Sequence, residues 1–236
     1  MRPQLWLVRL WAPPERLVQL RALLSAQERE QADRFAFDRL RPPFIVAHAA
    51  LRILAGRALG ADPAGLRFAK GPFGKPHLVD ARLPLNLSHA GDWGLVALGH
   101  RHEVGVDIEA IHPARVTAGM VRMVTSTGER ATFDAMDPAR WAAPFFRLWV
   151  RKEAVIKALG TGLSRPLDSI DVPLAPEAPP DGIVLRPEPE PGVRSWLWDV
   201  PAPTGYFAAL VVRQPRDEPP RPPEPVRMLT PDALRP

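Results

Sequence analysis

Cysteine is absent from all 236 residues. Disulfides, a thiolate nucleophile and cysteine-based zinc sites are therefore excluded. No uninterrupted apolar run approaches the roughly 18 residues of a membrane-crossing helix. Met1 to Leu10 alternates apolar and polar residues and carries Arg9, without the apolar core or small-residue cleavage site of an export signal. These absences lead us to expect a cytoplasmic protein with no membrane contact. There is no dense Lys/Arg run and no basic patch interleaved with aromatics, which argues against nucleic acid as the partner. His48, His77, His100, His102 and His112 show no metal-ligand spacing.

What is present is a hydrophobic content of 46%, enough to bury a core, and a net charge of +5 that is mostly arginine. A modest basic excess favours anionic ligands or acidic protein partners. The length admits one large domain or two small ones.

Strand patterns run over Gln4 to Trp11, Leu66 to Ala69, Leu85 to Ser88, Gly94 to Gly99 and Val104 to Glu109. Others follow at Ile170 to Val172, Ile183 to Leu185, Arg194 to Val200 and Phe207 to Val212. Helices are expected over Ser25 to Phe37, where Ser25 and Glu28 have capping-box spacing and Pro42-Pro43 act as a break. Further helices are expected over Phe44 to Leu59, around Glu129 to Met136, and over Pro144 to Leu159 with Gly160 as a stop. The prolines between Pro173 and Pro191 mark loops, and Arg213 to Pro225 reads as an extended tail without its own core. The order of elements is loosely similar in two halves, although no repeat is visible in the letters. The fold class is thus α+β with two related subdomains: residues 1–103, residues 104–212, and a proline-rich C-terminal tail, 213–236.

Two segments carry the chemistry. In Gly105-Val106-Asp107-Ile108-Glu109, period-two alternation puts both carboxylates on one face. In Trp149 through Lys157, Glu153 and Lys157 are spaced to share a helix face. If the faces meet, three carboxylates and an ammonium converge. Such a set suits a hard divalent cation, and Mg2+ is usually shared with substrate phosphates. Two upstream pieces fit phosphate chemistry. Ser88 and His89 end a strand in Asn86-Leu87-Ser88-His89, and Lys75 sits in the rigid turn Gly74-Lys75-Pro76, which lacks Walker spacing. Each pattern also has a plain structural explanation: solvated acids at a strand end, a surface ion pair, a hydrogen-bonded turn histidine, an ordinary loop. Arg52, inside the second expected helix, fits either a phosphate ligand or a solvated helix residue.

Taken together, these pieces resemble the Sfp-type 4'-phosphopantetheinyl transferases in order and spacing over roughly residues 20 to 172, including Gly160-Thr161-Gly162-Leu163 and the segment Leu163 to Asp168. The resemblance implies a pseudo-dimer of two similar α+β subdomains with the active site in the cleft between them. It implies Mg2+-dependent transfer of the 4'-phosphopantetheine arm of coenzyme A to a serine of an apo acyl or peptidyl carrier protein, releasing adenosine 3',5'-bisphosphate. Carriers of fatty-acid, polyketide or nonribosomal-peptide synthesis are the partners it implies, and a monomer is expected. By match, Asp107, Glu109 and Glu153 would hold Mg2+, and Lys157 would contact the diphosphate. Lys75, Ser88 and His89 would hold the nucleotide phosphates, His89 nearest the 3'-phosphate. Glu153 is the candidate base, with Glu129 as a fallback. The basic residues that grip the 3'-phosphate from the first helices of such enzymes are replaced here by Glu28, Gln31 and Pro42-Pro43, leaving Arg39, Arg41 or Arg52 as substitutes. The rival readings are a Mg2+-dependent phosphodiesterase or nuclease, and a non-catalytic module that binds nucleotide or carrier protein.

Overall fold

The computed structural model describes residues 1–174, 179, 182–185 and 190–235. The first half contains β1 (Gln4–Arg9), α1 (Pro14–Ala22), α2 (Ala26–Asp33), α3 (Arg41–Leu59), a short hairpin of β2 (Phe68–Lys70) and β3 (Pro76–Leu78), and a longer one of β4 (Leu85–Ala90) and β5 (Trp93–Leu98). The second half contains β6 (Glu103–Ala110), α4 (Ala118–Val124), α5 (Thr127–Asp134), α6 (Ala142–Leu159), β7 (Ile183–Val184), β8 (Val193–Asp199) and β9 (Tyr206–Pro215), and β10 (Arg227–Leu229) closes the chain.

The halves share a topology. The opening strand of each pairs antiparallel with the last strand of a hairpin, β1 with β5 and β6 with β9. The sheet orders are β10-β1-β5-β4 and β6-β9-β8-β7. Each sheet has two apolar faces. Trp6 and Val8 of β1 join the core under α1 and α3, while Leu5 and Leu7 face the other way. That other face meets Val104, Val106 and Ile108 of β6 and Leu210 and Val212 of β9, so a third core lies between the sheets. Strand alternation then leaves Gly105, Asp107 and Glu109 on the face of β6 toward α6.

Several expectations shift. The helix expected over Ser25 to Phe37 ends at Asp33, and Pro42-Pro43 fall in the first turn of α3. They start that helix rather than interrupt one, because first-turn N–H groups have no intrahelical acceptor to lose. The same logic hid α1, which begins at Pro14 behind Pro13. Helix α4 also escaped the sequence reading. Ile170 to Val172 forms no strand; Val172 instead donates its N–H to Glu129 Oε1 at 2.8 Å. The proline-rich loops expected between 173 and 191 lie in part outside the described residues. Residues after 215 return to the first half. Arg227–Leu229 pairs parallel with Trp6–Val8, Glu224 N–H donates to the Pro3 carbonyl at 2.8 Å, and Leu234 is fully buried in the first core.

Candidate active site

The site begins with a close approach. A Cβ on Gly105 would stand 2.2 Å from the Ala154 carbonyl oxygen and 2.2 Å from the Ala158 nitrogen. Only glycine lets the backbone of α6 settle onto β6 here. With the helix seated, Lys157 reaches Asp107. Its ammonium donates to Asp107 Oδ1 at 2.5 Å and to Ser88 Oγ at 3.0 Å, and Ser88 Oγ donates to Asp107 Oδ1 at 2.7 Å. Thus β4, β6 and α6 each contribute one member of the triangle.

Asp107 is buried, not solvent-facing, and its second oxygen, Oδ2, has no hydrogen-bond partner. A buried, unpaired carboxylate oxygen is costly unless a cation completes it. Glu109 and Glu153 face the same charge. Burial first, then the Asp107 carboxylate, push the Glu109 carboxyl up to about 7, against the pull of Lys157 and Arg115. Burial and Asp107 raise Glu153 in the same way, again opposed by Lys157. Three carboxylates sharing one ammonium are short of positive charge, and a hard divalent cation fits that deficit. Among the described residues, no three His, Asp or Glu side chains already stand as a closed ligand set. Asp107 and Glu153 both act on the Glu109 carboxyl, and Asp107 acts on Glu153, so the three carboxyls feel one another's charge.

Two cavities flank this cluster. One of about 240 Å³ is lined by Lys75, Asn86, Glu153 and Lys157 with Phe73 and Gly160 among its walls. The other, about 640 Å³, is lined by Glu28, His48, Lys70 and His89 among others. They share Gly74, Pro76 and Leu87 as common walls. His89 stands near the end of β4 with part of its surface open to solvent; the protein around its ring, then His48 and Lys157, push its imidazole pKa down.

Not every cation expected near phosphate is free for one. Lys75 donates to Glu103 Oε2 at 2.7 Å, to the Val104 carbonyl at 3.1 Å and to the Ala158 carbonyl at 3.5 Å, tying its turn to β6 and α6. Arg52 is buried, donating to Glu28 and to the carbonyls of Pro63 and Leu66. These bonds tie α3 to α2 and to the loop at 63–66, and they commit the guanidinium within the first half. Arg39 stacks over Phe37, and Arg41 pairs with Asp38 at 3.2 Å. His48 lines the larger cavity and was missed from the sequence, because nothing in its helical spacing distinguishes it. Glu129, the fallback base, accepts from the Ser126 and Val172 N–H groups and from the buried Lys152 ammonium, so both its oxygens are already engaged within the fold.

Residues 103–211, which carry β6 and α6, match the family model of the 4'-phosphopantetheinyl transferase superfamily. The chain is 31% identical to the 4'-phosphopantetheinyl transferase HetI of Nostoc sp., over 74% of this chain and 75% of that one. It is 35% identical to a 4'-phosphopantetheinyl transferase of Bacillus subtilis and 31% identical to Sfp of Bacillus subtilis, each over 65% of this chain and 67% of the relative. The chain belongs to the 4'-phosphopantetheinyl transferase family. As a phosphopantetheinyl transferase it takes coenzyme A as substrate and moves the phosphopantetheine arm onto carrier proteins. The α+β pseudo-dimer expected of such a transferase is the observed architecture, and the triangle of Ser88, Asp107 and Lys157 lies where its halves meet. None of the described helices is long and apolar enough to cross a membrane.

Proposed function

We propose that this transferase binds coenzyme A with Mg2+ in the cleft, attaches the arm to a carrier serine, and releases adenosine 3',5'-bisphosphate. The observation that carries the reading is the unpaired Oδ2 of Asp107, beside two carboxyls whose pKa values are raised by their shared burial. Asp107, Glu109 and Glu153 would hold the metal, which supplies positive charge to the diphosphate oxygens when bound. Lys157 would contact the same diphosphate. Its ammonium is the only cation hydrogen-bonded to Asp107 among the described residues, so it can move from carboxylate to phosphate.

The larger cavity suits the nucleotide end of coenzyme A. His89 and Ser88 would hold its phosphates, with His89 nearest the 3'-phosphate and His48 and Lys70 on the same wall. Lys75 would join them only by leaving Glu103 and its two carbonyl acceptors. In the transfer, the carrier serine oxygen attacks the β-phosphorus as the bond to the adenosine bisphosphate oxygen breaks. Glu153, directly or through a water, would take the serine proton. The basic surface favours encounter with an acidic carrier. On this reading the enzyme works as a cytoplasmic monomer, without nucleic acid.

Mass spectrometry of several apo carriers after incubation with coenzyme A and Mg2+ tests the reading. One phosphopantetheine addition per carrier, abolished by chelation, is expected. Nucleic-acid cleavage without carrier modification, or coenzyme A binding without turnover, would replace it with one of the rivals.

A further inference from the structure

Along β4 and β6 the two halves lie side by side, yet neither strand belongs to the other's sheet: β4 pairs with β5 and β6 with β9. Side chains of β4 take the place of ladder carbonyls. Asn86 Oδ1 accepts the Val106 N–H at 2.8 Å, and Ser88 Oγ accepts the Ile108 N–H at 3.4 Å. The residue between those two N–H groups is Asp107. Ser88 already belongs to the site through its bonds to Asp107 and Lys157. Asn86 does not: its bridge goes to backbone. It is 3% exposed and lines the smaller cavity.

We propose that Asn86 is a positioning residue: its bridge to Val106 fixes where β6 sits along β4, and so sets Asp107 and Glu109 of one half against His89 of the other. This rests on the proposed function of the cleft. The physical reason is that a side-chain seam has no ladder to restore its register. Deleting the acceptor leaves a buried N–H unpaired on the strand that carries two of the three carboxylates, and that strand gains freedom to shift toward another partner. The walls of the larger cavity, built on α2, α3 and β2 to β4, do not depend on the bridge. Metal affinity should therefore fall more than coenzyme A affinity.

Asn86→Leu keeps the branched shape at Cγ and removes the acceptor, whereas Asn86→Asp keeps an accepting oxygen. Three measurements are needed: amide hydrogen exchange at Val106, calorimetric Mg2+ titration of the coenzyme A complex, and the KM for coenzyme A. For Asn86→Leu we expect faster exchange at Val106 and Mg2+ affinity lower by about tenfold or more. The KM for coenzyme A should stay within about twofold of wild type. Asn86→Asp should keep Val106 protected. If Asn86→Leu does not fold, Asn86→Ser, which is shorter and introduces no apolar bulk, is read by the same three measurements. Unchanged Mg2+ affinity in a folded variant with an exposed Val106 amide overturns the proposal, as does a KM change as large as the loss of Mg2+ affinity. Wild type is assayed first, and if it fails to modify any carrier, the functional reading itself is refuted.

Discussion

Helix α3 in the first half and α6 in the second solve one structural problem in the same way. Arg52 reaches from α3 to Glu28, which closes a capping box opened by Ser25; Lys152 reaches from α6 to Glu129, which closes a box opened by Ser126. Both cations also donate to a carbonyl beyond their own helix, Leu66 or Leu167. Both helices end on a glycine in the left-handed region, Gly60 or Gly160. One residue after the buried cation, the halves diverge. Ile53 lies in the first core, whereas Glu153 faces the cleft. The electrostatics diverge with it. Burial alone would raise the Glu28 carboxyl, but His48, the Ser25 N–H and Arg52 outweigh it and hold it at about 2. Glu109 is pushed the opposite way, to about 7. Glu28, like Glu129, is paired and stabilises the fold. The acids of the cleft are gathered without enough partners, which is a cost to the fold that a bound cation would offset.

The largest test of that contrast breaks the supporting pair of each half and, separately, removes one acid of the cleft. Glu28→Gln and Lys152→Met each break a buried pair and leave an unpaired group, so each should cost about 3–5 kcal/mol of stability. Glu153→Gln should leave the metal-free melting temperature unchanged or higher, because it relieves repulsion with Asp107. A similar loss of melting temperature for all three would erase the distinction between the paired supports and the acids of the cleft.

Next comes chemistry. Asp107→Asn should lower carrier modification by about a hundredfold to a thousandfold, as for loss of a preorganised charge at the reacting phosphate. Far-ultraviolet circular dichroism should remain that of wild type. A rate near wild type at saturating Mg2+ would remove Asp107 from the metal set. In Glu153→Gln, a lost acidic limb of the pH–rate profile with modestly weakened Mg2+ binding supports the base role. Full rescue by excess Mg2+ with that limb unchanged would assign Glu153 to the metal alone.

A smaller effect separates the ends of coenzyme A. His89→Ala should weaken coenzyme A by about 1.5–3 kcal/mol and dephospho-coenzyme A much less. Lys75→Ala should show the weaker discrimination of the two, because its ammonium is bonded to Glu103. Equal losses for both ligands in His89→Ala would place that ring away from the 3'-phosphate.

The last test is linkage. Below pH 4.5 the Glu109 carboxyl is protonated whether the chain is folded or not. Between 4.5 and about 7 the folded protein keeps a proton that the unfolded chain has released. Stability of the chelated protein should therefore fall as pH rises through that window. Glu28 acts with the opposite sign: its contribution is present above 4.5 and is lost as pH falls toward 2. Melting curves with chelator and with Mg2+ check both, and Mg2+ should raise the melting temperature most at and above pH 7. A Glu109→Gln protein that keeps the same slope between 4.5 and 7 would show that another group is responsible.

Sequence alone determined the pieces whose information is local. Alternation in Gly105–Glu109 placed two acids on one strand face, helical spacing placed Glu153 with Lys157, and Ser25 with Glu28 announced a capping box. Each follows from the period of the backbone, which a single segment carries. What the letters could not carry is which long-range partner each charged group finds. Arg52 and Glu129 have the composition of ligands and became buried supports, Lys75 was drawn to Glu103, and Asp107 proved buried rather than solvated. The order of elements announced the likeness of the halves, but its detail stayed hidden, because Arg52 and Lys152 do one task with different side chains. Only the tertiary structure decided that α6 would rest on Gly105 and that β4 would lie against β6. Those contacts join residues far apart in the chain, and their outcome depends on packing and desolvation summed over both halves.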